Sequence, residues 1–253
     1  MNNQLKTNNN SRIDEYLKIL TLHKIADIYR VESDKAAKTK LSYTDYLLKL
    51  LEEQVLTKIE RSINRKMQIA AFPQIKRLEE FDFSFQPQIE EKVIRELANL
   101  NFLEDGKNVL FLGPPGVGKT HLAIALGIKA IEQRKRVLFY SAEKLTEELA
   151  AAEVSGMLNA KLESLSRLDL LIIDELGYLT LSNQTAKLFF QLVSKRYEKG
   201  SIIVTSNKSF EDWGEIFNDE VVASAILDRM LHHSYPFFIN GKSFRLKNMS
   251  KSD

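Results

Sequence analysis

Residues Gly113-Pro114-Pro115-Gly116-Val117-Gly118-Lys119-Thr120 follow directly on the apolar run Val109 to Leu112. They fill every position of G-x-x-x-x-G-K-[ST], the phosphate-binding loop that leaves a buried strand and opens a helix. Glycines let the main chain approach an anion closely, and the N–H groups from Gly116 to Thr120 can turn inward onto it. A helix beginning near Lys119 aims the positive end of its dipole at the same point. Lys119 is then placed to reach the β- and γ-phosphates, and Thr120 to hold Mg²⁺. The plain alternative, a glycine turn before a helix, is set aside because the motif and its strand-loop-helix context occur together.

A second stretch carries complementary chemistry. Leu170-Leu171-Ile172-Ile173 is an apolar run that ends in Asp174 and Glu175. At the carboxyl end of a parallel strand both carboxylates face the crevice where a nucleotide sits. Asp174 is the candidate for holding Mg²⁺ through its water shell, and Glu175 for orienting and deprotonating the attacking water. Either acid could instead cap a helix. Downstream of a full phosphate-binding loop, the chemical reading is preferred.

Around these stretches strands alternate with helices. Val137 to Tyr140 and Ile202 to Asn207 read as further strands, and 120–133, 144–152, 158–165, 184–197 and 220–231 as helices. That alternation implies a parallel sheet covered on both faces. Asn207 falls at a strand's carboxyl end, where by itself it reads as a turn residue. Phe237 to Leu246 reads as a hairpin turning at Asn240-Gly241. His232 and His233 read as surface residues near a helix C-terminus, and spacing alone gives no role to Arg229 or Arg245.

Toward the N-terminus the character changes. From Ile13 to Gly106 no glycine occurs before the last residue, and the only prolines are Pro73 and Pro87. Ile13, Leu17, Leu20, Ile25 and Ile28 make a helix-spaced stripe, and Ser42-Tyr43-Thr44-Asp45 resembles a capping box opening a long helix toward Ala70. Residues 1–12 hold five asparagines and no apolar cluster, so a disordered tail is expected there. Gln54 to Arg77 carries Lys58, Arg61, Arg65, Lys66, Lys76 and Arg77 against one acid, Glu60. Such a helix suits a phosphate backbone, since lysine and arginine gain affinity by releasing counterions. Charge alone does not separate this from a solvated face. Phe81, Phe83 and Phe85 alternate with polar residues, which suggests an extended connector packed on the nucleotide domain, its rings in the core rather than stacking on bases.

Composition excludes several classes. The 253 residues are 44% hydrophobic with a net charge of +2, so there is material for one large and one small domain and no global charge argument. No apolar run reaches the roughly 18 residues of a membrane span, and the N-terminus lacks a hydrophobic signal core; a soluble, cytoplasmic protein is expected. The chain has no cysteine and only four histidines, which excludes disulfides and thiolate zinc sites and gives no metal-ligand spacing.

Taken together, Gly113 to Ala123, Asp169 to Tyr178, Thr205-Ser206-Asn207, Leu227-Asp228-Arg229-Met230 and Ser243-Phe244-Arg245 resemble the IstB/DnaC group of AAA+ ATPases. The segment Glu60 to Pro73 followed by Leu78 to Phe83 is similar to the linker of IstB, the transposition helper of insertion sequences. The resemblance spans about Ile13 to Leu246. It implies an α/β fold: a RecA-like AAA+ core with a parallel sheet, preceded by a small all-α domain. The implied layout is a tail at 1–12, a helical DNA and oligomerisation domain at 13–72, a linker at 73–88, the ATPase domain at 89–246 and a tail at 247–253. The phosphate-binding loop with His121 and Asp174 would bind ATP, and Thr120 with Asp174 would hold Mg²⁺. Asn207 becomes the sensor near the γ-phosphate, Arg229 the finger reaching a neighbouring subunit's nucleotide, and Arg245 a second sensor on the subunit's own phosphates. Lys58, Arg61, Arg65 and Lys66 become expected DNA contacts.

The resemblance further implies a DNA-stimulated, Mg²⁺-dependent ATPase. It would multimerise on duplex DNA with little sequence preference, associate with the nucleoid there, and assist an IstA-like transposase. The helical lid that usually ends an AAA+ domain is expected to be missing, because few residues follow Leu231. A DnaC-like loader of a replicative helicase shares the core; the basic linker and the lack of cysteines favour the transposition helper. A small-molecule P-loop kinase would need an arginine-rich lid, which Ser182 to Gly200 does not offer.

Overall fold

The computed structural model describes residues 2–244. The chain divides into two compact units after Arg65, inside a helix rather than at 72/73 where the sequence suggests a boundary.

The first unit contains α1 (Asn2–Ile19), α2 (His23–Thr39) and most of α3 (Tyr43–Ile69). Ser42 opens α3 as expected: its Oγ accepts from the Asp45 N–H at 3.1 Å and donates to Asp45 Oδ2 at 2.6 Å. The core is small. Ile25, Tyr29 and Leu50 are buried, ringed by Leu17, Leu22, Ile28 and Tyr46. No side chain caps the start of α2. Instead Gln54, buried on α3, accepts from the Lys24 and Ile25 N–H groups at 3.0 and 3.3 Å, satisfying first-turn donors that burial would otherwise leave costly. Over 2–12 the backbone is helical, correcting the expected disordered tail. Asp14 pairs with Arg30 and Leu17 packs on the core, which fixes a nucleus. Each further residue then adds a hydrogen bond at low cost, and asparagine opposes helix by only about 0.7 kcal/mol or less.

The second unit begins with the last turn of α3. Ala70 is fully buried, its carbonyl accepts from the Phe139 N–H at 2.9 Å, and Phe72 meets the Phe139 ring edge-on at 6.1 Å. These contacts assign 66–72 to the nucleotide-binding unit. Two 3-10 turns, Leu78–Glu80 and Phe83–Phe85, replace the extended connector expected over the three phenylalanines. Asp82 causes the second, accepting from the Phe85 N–H at 3.2 Å.

After α4 (Glu91–Leu97) and α5 (Asn101–Glu104) the α/β core runs β1 (Asn108–Leu112), α6 (Lys119–Glu132), β2 (Val137–Ser141), α7 (Ala142–Val154), α8 (Leu158–Ser166) and β3 (Leu170–Leu176). It continues through α9 (Asn183–Arg196), β4 (Ser201–Ser206), α10 (Trp213–Phe217), α11 (Glu220–Leu231) and β5 (Ser234–Phe238). The strands form one sheet in the order β2-β3-β4-β1-β5, and every pairing is parallel. The central strands β1 and β4 are buried throughout, as continuous apolar runs require when helices cover both faces.

The expected hairpin at 237–246 is not formed among the described residues. β5 lies parallel beside β1, pairing Ser234 to Phe238 with Asn108 to Leu112. The local Asn-Gly signal is overridden because the apolar edge of β1 is a better partner for Phe237 than a returning strand: its ring stacks on Phe111 at 5.2 Å. Residues 239–244 then cross the phosphate-binding loop, with the Phe244 N–H donating to the Gly116 carbonyl at 2.9 Å.

Among the described residues Arg196 is the largest buried cation. Only 1% exposed, it donates to the Leu165, Leu168 and Ser201 carbonyls, tying the ends of α8 and α9 to β4. Burial lowers its pKa to about 10, still high enough to stay charged at neutral pH. Among the described residues no helix is long and apolar enough to cross a membrane.

Candidate active site

The loop from Gly113 to Gly118 links β1 to α6, so its amides converge at the N-terminus of a 14-residue helix. Its three glycines are required by what lies against them: Gly113 has φ +144°, and a Cβ there would stand 2.1 Å from the Ile239 carbonyl oxygen. Gly116 has φ +83°, and a Cβ there would stand 2.1 Å from Ser243 Oγ; Gly118 has φ +102°, and a Cβ there would stand 2.6 Å from the Phe81 ring. All three are positions where only glycine keeps both the positive φ and the close contact. Lys119 is buried, and its Nζ donates to the Gly113 and Pro114 carbonyls at 2.5 and 2.8 Å.

Asp174 and Glu175, adjacent in sequence, occupy opposite environments. Asp174 is 6% exposed and takes a hydrogen bond from Thr120 Oγ1 at 2.8 Å, while Glu175 is exposed. The pairing of Thr120 with Asp174 brings together the two groups that the two sequence stretches offer to a metal. Their hydroxyl and carboxylate oxygens are the hard donors that Mg²⁺ takes. A cavity of about 560 Å³ opens over them, lined by Pro115 through His121, Asp174, Glu175 and Thr205. Its lining also includes Phe81, Phe85 and Phe244, and the Phe85 and Phe244 rings meet edge-on at 5.3 Å. The size suits a nucleotide. The loop amides, Lys119 and the Thr120–Asp174 pair together fit a triphosphate with Mg²⁺.

Other expected residues fall as follows. His121 lines the cavity, but its Nε2 meets the Arg77 carbonyl at 2.8 Å and its ring meets Phe81 edge-on, so it also anchors the connector. Asn207 follows β4; its Oδ1 is buried without a hydrogen-bond partner, a costly state that an incoming donor would relieve. Arg229 stands in the last turn of α11, donates to the Ala225 carbonyl at 3.0 Å and lies 4.7 Å over the Phe190 ring. It does not line the nucleotide cavity of its own chain. Arg245 lies outside the described residues. Lys58, Arg61 and Arg65 are exposed along α3, whereas Lys66 is half-buried and donates to the Arg134 carbonyl. Of the other basic residues in that run, Arg77 pairs with Glu132 at 3.1 Å, and Lys76 lines the nucleotide cavity.

Sequence reasoning missed the wall formed by Phe81, Phe85 and Phe244, reading the first two as core. It also missed the buried hydroxyl of Thr205, which donates to Asp174 Oδ1 at 2.5 Å. The Thr205-Ser206-Asn207 run is the signal that could have found it, through its first residue rather than its asparagine. His232, His233 and Glu198 bring one ligand atom each within 4.8 Å of one another at the surface, a proximity that sequence spacing did not show.

A parallel sheet with this strand order, a phosphate-binding loop after β1 and paired acids on β3 define an AAA+ P-loop ATPase. The family model described as IstB-like ATP binding protein matches residues 15–252, and the chain belongs to that family. A protein of Pseudomonas aeruginosa named for insertion sequence IS21 and for ATP binding is 50% identical over 226 residues, covering 88% of this chain and 85% of the relative. The corresponding IS5376 protein of Geobacillus stearothermophilus is 43% identical over 236 residues, covering 93% and 94%. Among solved structures, that of the DnaC helicase loader is similar at a TM-score of 0.50 and 25% identity, covering 59% of this chain and 88% of that one.

Proposed function

We propose that this protein is an ATP-dependent DNA-binding ATPase that multimerises on duplex DNA and assists a transposase in choosing and using a target site. The observation that carries the reading is the joining, in one chain, of a nucleotide site built for hydrolysis with the exposed basic row Lys58, Arg61 and Arg65. That its relatives are named for insertion sequences supports the partner.

In this reading the amides of residues 116–120 and Lys119 hold the phosphates, and the aromatic wall of Phe81, Phe85 and Phe244 receives the nucleoside. Thr120 and Asp174 would hold Mg²⁺, which when bound offsets negative charge on the β- and γ-oxygens. Glu175 takes a proton from water as its oxygen attacks the γ-phosphorus, and the bond to the β,γ-bridging oxygen breaks to leave ADP. Asn207 orients that water. Arg229 stabilises the transferring phosphoryl group of a neighbouring subunit, and Arg245 would act on the subunit's own phosphates.

DNA contact falls to Lys58, Arg61 and Arg65, spaced to share one face of α3; the engagement of Lys66 with Arg134 makes it the weakest of the four candidates. A predominantly phosphate-directed interface positions without reading bases, so unrelated duplexes should bind alike. Replacing Arg61 and Arg65 by alanine is expected to weaken DNA binding and flatten the plot of log affinity against log salt, by roughly 0.9 for each phosphate no longer neutralised. A fluorescence-anisotropy titration at several salt concentrations reads this directly. An unchanged slope would return the row to a solvated face.

The second reading, a loader of a replicative helicase, is favoured by the likeness to the DnaC helicase loader. Co-purification decides between them: a transposase retained on the protein supports the first, a hexameric helicase the second.

A further inference from the structure

We propose that Thr205, on β4, is a positioning residue for ATP hydrolysis, its hydroxyl fixing Asp174 and the backbone of Glu175 together. The inference rests on the reading of Glu175 as the base and of Asp174 as a Mg²⁺-holding group.

In the sheet register Ile173 pairs with Val204, and the next pair is Leu176 with Ser206, so β3 spends one residue more than β4 over the same distance. That is a bulge, a device that re-aims side chains and is concentrated near active sites. Inside it Glu175 has φ +63°, a left-handed conformation uncommon for any residue with a side chain. Within it Asp174 is buried and Glu175 exposed, and both line the cavity.

A bulged residue loses its ladder partner, and its N–H needs an acceptor. Thr205 supplies one. Its Oγ1 accepts from the Glu175 N–H at 2.9 Å and donates to Asp174 Oδ1 at 2.5 Å. Because the Glu175 amide can only donate, the hydroxyl's one proton is committed to the carboxylate. Thr120 Oγ1 donates to the same oxygen at 2.8 Å. An unbroken chain thus runs from the backbone of the base, through Thr205, to the Thr120–Asp174 pair. Thr205 is 0% exposed, between the apolar residues of β4 and the cavity. Valine has the same branched shape without the hydroxyl, whose use is these two bonds.

The test compares Thr205→Val, Thr205→Ser and Glu175→Gln with the parent, reading ATP turnover and the affinity for a fluorescent ATP analogue with Mg²⁺ and with EDTA. For Thr205→Val, turnover is expected to fall by about 10- to 100-fold, the worth of a hydrogen bond to a charged group. Its affinity in EDTA should stay within about 3-fold of parental, while the gain on adding Mg²⁺ shrinks. Thr205→Ser, which keeps the hydroxyl, should restore both turnover and that gain. Thr205→Val with parental turnover and an undiminished Mg²⁺ gain would overturn the proposal. So would loss of EDTA-state affinity, which marks a merely structural residue, or a serine variant as impaired as the valine. Parental turnover in Glu175→Gln would instead defeat the assignment of the base, and Thr205 is then judged on the Mg²⁺ gain alone.

Discussion

Arg229→Ala is expected to bind ATP with nearly parental affinity and to hydrolyse it about 10³- to 10⁵-fold more slowly, the range over which arginine fingers act. The residue contributes nothing to its own chain's nucleotide cavity. It is held instead at the end of α11, against Phe190 and the Ala225 carbonyl. In the role proposed for it, the arginine gains its effect by meeting charge that develops on a neighbour's phosphoryl group. Mixing provides the sharper form of the experiment. On the proposed roles, Lys119→Ala has an intact finger and loses nucleotide binding, whereas Arg229→Ala keeps the site and lacks the finger. Combined on DNA, the two inactive variants should recover part of the stimulated ATPase activity when ATP-bound Arg229→Ala subunits draw Lys119→Ala subunits into the complex, because a mixed junction pairs one good site with one good finger. Arg229→Ala turning over at the parental rate as a dilute monomer would show that no finger comes from this position.

Glu175→Gln should bind ATP and stall, its turnover lowered by about 10²- to 10⁴-fold, the usual worth of a general base. Glutamine keeps the shape and the exposed, left-handed placement of the residue, and it cannot take a proton from water. The Thr120–Asp174 pair and the loop amides are untouched by the change, so the affinity for ATP should hold. ATP-bound protein should then accumulate on DNA, visible as a slowly dissociating complex in a filter-binding chase. A variant that hydrolyses ATP at the parental rate would remove Glu175 from the mechanism.

Much of the fold and of the site was legible in the sequence, for physical reasons that also mark where legibility stopped. The runs Val109 to Leu112, Leu170 to Ile173 and Ile202 to Val204 are continuous apolar strands because both sheet faces are covered, and that pattern is visible in the chain alone. The phosphate-binding loop is local, so its residue order suffices. The bulge at 173–176 is not local: it is an offset between β3 and β4, met by the Thr205 hydroxyl, and a single strand's sequence carries no register. The path of 239–244 over the loop was hidden for the same reason, since Asn240-Gly241 signals a turn and says nothing of an open edge on β1. Alternation at Phe81, Phe83 and Phe85 mimicked a strand, while the Asp82 cap made a 3-10 turn of it. Lys66 looked equivalent to Arg61 and Arg65 until the carbonyl of Arg134 came within its reach.

The central claim is that ATP at this site controls assembly on duplex DNA. Analytical ultracentrifugation of the purified chain with a labelled duplex, in the presence of ATP, ADP or neither, tests it most directly. The account predicts a large protein–DNA complex with ATP, formed equally on unrelated duplexes, and its loss with ADP or in Lys119→Ala. A complex of the same size under all three nucleotide conditions, or no complex on any duplex with ATP, would contradict it.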